Sequence, residues 1–154
     1  MIAVGILVMS DRAFQGKYED KSGKTVQEII EEDAQYKVKE YEIIPDEKDI
    51  IVGKLKEYTD IKKLDLIITS GGTGLSTRDV TPEATREVIE KEIPGMAEAM
   101  RKIGIEKTPF AMLSRAIVGL RKKTLIINLP GSPKAVRENL EVVLPVIPHA
   151  LGKH

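Results

Sequence analysis

The stretch from Leu64 to Glu83, LDLIITSGGTGLSTRDVTPE, decides how the chain folds. Leu64–Thr69 is an apolar, branched run that reads as a strand buried on both faces. Thr81-Pro82-Glu83 reads as a helix start, with a capping hydroxyl, proline at the first position and an acid near the positive end. Between them stand Gly71, Gly72 and Gly74 with a row of hydroxyls. A plain turn needs one or two such residues, so the stretch implies something pressed against this backbone.

The same strand–loop–helix grammar extends in both directions. Ile2–Met9 is a second apolar run, followed by the polar segment Ser10–Lys21. Ser22 stands where a cap belongs for a helix carrying Val26, Ile29 and Ile30. Lys37–Ile44 reads as a strand, and Pro45–Asp49 opens a helix with Ile50, Ile51, Leu55 and Tyr58 on its inner stripe. Pro94-Gly95 is expected to end the Thr81 helix, with Met96, Met100 and Ile103 on the next one. Thr124–Leu129 reads as a strand running into Pro130-Gly-Ser-Pro133. The last helix then carries Val136, Leu140, Val143 and Leu144, and is broken by Pro145 and Pro148. Alternating strands and helices predict an α/β three-layer sandwich, a mainly parallel sheet flanked by helices. The 154 residues are expected to form one domain.

Composition narrows the chemistry. Lys plus Arg and Asp plus Glu number 24 each, so no basic excess points to nucleic acid. Cysteine is absent, which removes disulfides, thiolate nucleophiles and Cys-type zinc sites together. The two histidines, His149 and His154, form no ligand-spaced cluster. MIAVGILVMSD is too short for a signal peptide and no run approaches a membrane span, so a cytoplasmic protein is expected.

In open parallel sheets ligands bind beyond the carboxyl ends of the strands. Loops starting at Ser10-Asp11, Asp46, Ser70 and Asn128 should therefore share one rim. Ser70-Gly-Gly-Thr-Gly74 suits either an anion cradle of backbone N–H groups or a tight turn. Ser132 reads as a site residue or as the N-cap before Pro133. Asp46 has the same ambiguity, standing where a cap for Glu47–Asp49 would stand. Asp79 is a poorer cap, because Thr81 fills that place, and Arg78 beside it is suited to neutralising phosphate. Two carboxylates facing a phosphate site suit Mg²⁺. Two motifs fail. Ser22-Gly-Lys-Thr25 would be a P-loop only with glycine at position 18, which is Tyr18; GxGxxG would need glycine or alanine where Thr77 stands.

SDRAFQGKYEDKSG (10–23), IIPDE (43–47), LIITSGGTGLSTRDVTPEAT (66–85), PGMAEAMR (94–101), TPFAMLSRAIVGLR (108–121) and TLIINLPGSPKAV (124–136) occur in this order. Together they resemble the MogA/MoaB-type molybdenum-cofactor proteins and the G domains of homologues such as gephyrin. CinA-type hydrolases and molybdate-inserting proteins share the fold but match these motifs less well. The resemblance implies adenylylation of molybdopterin by ATP with Mg²⁺, releasing pyrophosphate; a non-catalytic pterin binder of the MoaB type is the alternative. It implies Asp46 and Asp79 as the essential acids and metal ligands. It further implies that Ser10, Asp11, Ser22, Gly23, Ser70, Gly71, Gly72, Thr73, Gly74, Arg78, Ser114, Asn128, Pro130, Gly131 and Ser132 lie along the pterin and nucleotide pocket. A homotrimer, and other molybdenum-cofactor biosynthesis proteins as partners, are expected on the same ground.

Overall fold

The computed structural model describes residues 1–153; His154 lies outside the described residues. Eight buried or nearly buried residues, Ile2–Met9, form β1, which pairs in parallel with β2 (Tyr36–Ile44) on one side and β3 (Leu66–Ser70) on the other. β3 pairs in parallel with β6 (Thr124–Leu129), so Ile6, Ile68 and Ile127 lie abreast across the sheet centre. Two strands invisible to periodicity complete the sheet: β4 (Lys91–Glu92) and β5 (Val118–Arg121), joined antiparallel to each other and to β6 in the order β2-β1-β3-β6-β5-β4. β4 is only two residues long and β5 four, too short for any alternation to register.

The pleat sorts the apolar runs into two cores. Ile6, Ile68 and Ile127 face one side, where α2 (Ser22–Glu31), α5 (Pro94–Lys107) and α6 (Pro133–Val143) contribute Val26, Met100 and Leu140. Leu7, Ile67 and Ile126 face the other, covered by α3 (Lys48–Lys56) and α4 (Thr81–Val88) through Leu55 and Val88. The three-layer α/β sandwich expected from sequence is what forms. A short α1 (Asp11–Phe14) follows β1, and α7 (Ile147–Ala150) closes the chain. No helix of the described residues is long and apolar enough to cross a membrane.

Several local expectations are corrected. Pro94 opens α5 instead of ending α4, which stops at Val88, because proline suits the first helical turn. Ile50 faces solvent at 43% exposure, while Ile51 and Leu55 supply the inner stripe of α3. Thr81 is the first residue of α4 and not its cap: its hydroxyl donates to the Gly71 carbonyl at 3.0 Å and its N–H to the Gly72 carbonyl at 3.1 Å. Ser22 does not cap α2; the carboxylate of Asp20 accepts the Gly23 N–H at 2.8 Å instead.

Candidate active site

The carboxyl ends of β1, β2, β3 and β6 open onto a polar cleft of about 360 Å³. Gly71 makes the tight exit from β3 possible. Its φ is +97°, and a Cβ would collide with the Met9 carbonyl of the neighbouring strand. Gly72, at φ +71°, leaves room for Thr81 and for the Asp46 carboxylate. Ser70 donates its hydroxyl to the Pro130 carbonyl at 2.7 Å, locking the β3 and β6 exits together.

Asp46 and Asp79 both line this cleft. Asp46 is no helix cap: the cap position of α3 is Glu47, without a side-chain bond. Asp46 Oδ2 instead accepts the Asp11 N–H at 3.0 Å, and Asp11 Oδ1 accepts the Asp46 N–H at 2.9 Å, a reciprocal clasp between the β1 and β2 exits. Asp46 Oδ1 is buried with no hydrogen-bond partner among the described residues. Burial, reinforced by the charges of Asp11 and Asp79, holds the Asp46 pKa above the ordinary carboxylate value. Among the described residues Asp79 Oδ2 accepts only the Ser76 N–H within its own loop, at 3.0 Å.

Arg78 is already engaged. Its guanidinium donates to both Asp11 oxygens at 3.0 and 3.1 Å and to Glu47 at 3.0 Å, holding the Asp11 carboxyl below its usual pKa. It braces the rim, so the guanidinium expected from sequence to neutralise phosphate already has carboxylate partners. Arg12 differs: it lines the cleft, stacks over the Tyr18 ring at 5.0 Å and has no carboxylate partner among the described residues. Asp20, also in the wall, is buried against the Tyr41 hydroxyl. Both residues lie in the 10–23 segment that the motif flagged as a block. Neither carries an individual signal, because their pairing depends on where the loop folds back.

Four carboxylates (Asp11, Asp20, Asp46, Asp79) therefore face two guanidiniums. An anion enters such a cleft only with a cation. Among the described residues no group of three or more acidic or histidine side chains closes around one point. A hard cation such as Mg²⁺ needs fewer, taking one or two carboxylates and completing its shell with phosphate oxygens and water. The orphaned Oδ1 of Asp46 fits that donor set.

Across the glycine loop lies a second, largely apolar cavity of about 300 Å³, walled by Ala97, Met100, Phe110 and Leu113, with Arg101, Ser114, Glu138 and Asn139 among its polar lining residues. Thr73, Gly74 and Pro130 face it, whereas Gly71, Gly72 and Gly131 face the polar cleft. The predicted residues thus divide: Ser10, Asp11, Ser22, Ser70 and Arg78 join the polar cleft, Ser114 the apolar one. Three line neither. Gly23 is packed against Tyr41 and Asp20, Ser132 caps α6 by accepting the Ala135 N–H, and Asn128 is fully buried. The Asn128 amide donates to Thr69 and Thr85 at 3.1 and 3.0 Å and accepts the Ile117 N–H at 3.1 Å.

A parallel sheet with acidic and glycine-rich loops gathered at its carboxyl rim places the protein in the α/β class with a strand-end site. Within that class the chain belongs to the molybdopterin-binding domain family: residues 5–149 match the family described as "Probable molybdopterin binding domain". A Helicobacter pylori protein named molybdopterin adenylyltransferase is 48% identical over 151 residues, 97% of this chain and 86% of its own length. Gephyrin of Dictyostelium discoideum is 46% identical over 158 residues, 97% of this chain and 22% of that longer protein. The crystal structure of the molybdopterin biosynthesis enzyme MoaB from Thermus thermophilus superposes with a TM-score of 0.93 at 51% identity, covering 99% of this chain and 95% of that one.

Proposed function

We propose that this protein acts in molybdenum-cofactor biosynthesis as a molybdopterin adenylyltransferase, using ATP as the adenylyl donor. The observation that carries this reading is the pairing of two cavities across one glycine loop, with Asp46 and Asp79 in the polar one. A pterin ring suits the apolar cavity; a nucleotide phosphate chain suits the polar cleft once a cation offsets its carboxylates.

In the proposed reaction an oxygen of the molybdopterin phosphate attacks the α-phosphorus of ATP. A new phosphoanhydride bond forms, the bond from Pα to the bridging β oxygen breaks, and pyrophosphate departs with the electron pair. Mg²⁺, held by Asp46 and Asp79, would supply charge neutralisation at the phosphates. The chain's own residues orient and screen. The Asp11–Asp46 clasp keeps the Asp46 carboxylate facing the cleft. Backbone N–H groups of the glycine loop and the Arg12 guanidinium are placed to hold phosphate oxygens. No side-chain nucleophile is required, since the attacking group belongs to the substrate.

We further read the assembly as a homotrimer in the cytoplasm. The support is a set of exposed apolar side chains, Leu75, Phe110, Met112 and Leu113, between 47% and 76% exposed, of which Phe110 and Leu113 also line the apolar cavity.

The test is direct. Incubated with molybdopterin and Mg-ATP, the protein should release pyrophosphate and form adenylylated pterin. Asp46→Asn and Asp79→Asn should each lower kcat by about 10²-fold or more while the fold persists. Pterin binding without turnover in the wild type would leave only a binding module and sink the enzymatic reading.

A further inference from the structure

One guanidinium outside the cleft is committed to the loop that carries Asp79. Arg115 follows Ser114 and lines neither cavity. Its Nε donates to the Gly74 carbonyl at 2.8 Å and its Nη2 to the Asp79 carbonyl at 2.8 Å. Its Nη1 pairs with Glu83, in the first turn of α4, at 2.5 Å, and its backbone N–H reaches the Thr73 carbonyl at 3.0 Å. The 74–79 loop is thereby fastened at both ends to one rigid fork. The segment bearing Arg115 is itself fixed from α5: Arg101 donates to the carbonyls of Ser114 and Ala116 at 3.2 and 3.0 Å.

The geometry of that fork has a chemical consequence. Among the described residues the Asp79 carboxylate is held only by Ser76, which belongs to the same loop. Its place relative to Asp46, which is clasped to Asp11, therefore depends on what anchors the loop as a whole. Arg78 ties the loop to the β1 and β2 exits through Asp11 and Glu47, but that contact is solvent-exposed. Arg115 provides the more sheltered anchor and bonds the main chain of Asp79 itself. A planar fork with donors in fixed directions suits two carbonyls and a carboxylate at once; a lysine ammonium satisfies fewer of them.

We propose that Arg115 is a positioning residue: it sets the placement of the Asp79 carboxylate against Asp46, and so the affinity of the site for a divalent cation–nucleotide complex. The catalytic part of this statement rests on the adenylyltransferase reading; the binding part does not.

The experiment uses the intact protein and Mn²⁺-ATP as probe, with bound Mn²⁺ followed by electron paramagnetic resonance and no pterin present. Arg115→Ala should weaken Mn²⁺-ATP binding about tenfold, and Arg115→Lys should fall between Ala and wild type. In turnover, kcat should drop about 10²-fold, as expected when a reacting arrangement shifts by about an ångström, and the KM for pterin should change less than twofold. Thermal melts accompany each variant; if Arg115→Ala does not fold, the Lys variant carries the comparison. Equal Mn²⁺-ATP binding by wild type and a folded variant would overturn the proposal. So would a loss confined to the pterin KM. A wild type that fails to bind Mn²⁺-ATP at all would instead overturn the reading of the cleft.

Discussion

At the scale of single residues, the site divides its two arginines by what each already touches. Arg78 is bonded to Asp11 and Glu47, and a guanidinium so paired offers little further charge to a ligand. Arg12 is stacked on Tyr18 and, among the described residues, has no carboxylate partner. Arg12→Ala should therefore raise the apparent Kd for Mg-ATP about tenfold, in keeping with loss of a charge-assisted bond to phosphate. Arg78→Ala should act less on nucleotide affinity and more on the mobility of the rim. Equilibrium titration of both variants with a fluorescent ATP analogue checks the order; a larger loss in Arg78→Ala reverses the assignment.

Asp46 shows how one residue type carries two readings until its partners are known. Aspartate before Glu47–Asp49 satisfies the composition of a helix cap, yet its oxygens serve Asp11 and the cleft instead. A cap and a ligand look identical in a string of letters, because both want a short carboxylate at a strand-to-helix junction.

At the scale of elements, the glycine loop is held by what lies beneath it. Asn128 in β6 spans Thr69 in β3, Thr85 in α4 and the Ile117 N–H before β5. Fully buried, it fastens four segments behind the rim. Asn128→Ala leaves three buried polar groups without partners, at a cost of about 2–4 kcal/mol. Differential scanning calorimetry should record a fall in Tm of roughly 5–15 °C. The kcat of the remaining folded protein should change far less than in Asp46→Asn.

At the scale of the whole molecule, the alkaline limit of stability follows from its tyrosines. Burial pushes Tyr36 up to about 12; burial also raises Tyr58, helped by Glu42, and Tyr41, helped by Asp20. A group whose folded pKa exceeds its unfolded value contributes stability below the unfolded value, near 10, and loses it as pH rises through the folded one. Lys48, Lys54 and Lys62, raised by Glu87, Glu42 and Glu40, act with the same sign. The urea midpoint should hold steady to about pH 9 and decline through pH 11. Tyr58→Phe should decline less steeply over that interval. For the assembly, sedimentation should give a trimer at micromolar concentration, and Phe110→Asp with Met112→Asp should shift it toward monomer; a wild-type monomer throughout would end the trimer proposal.

Periodicity and punctuation were enough for the four parallel strands, the principal helices and the rim as the place for a site. Apolar runs such as Ile2–Met9 and Thr124–Leu129 have no stable arrangement except between two layers of helices. The motifs also placed Asp46, Asp79 and the glycines in one neighbourhood. Only the tertiary structure decided which neighbours took up which bonds. β5 exists because β6 offers it an edge, and β4 because β5 does; Arg78 is paired because Asp11 folds back toward it; Asn128 turns inward and Ser132 caps a helix. Local pattern records burial and turn chemistry, whereas the partner of a polar side chain is chosen by residues far away in the chain, 67 positions for Arg78 and Asp11, across elements that meet only once the sheet has assembled.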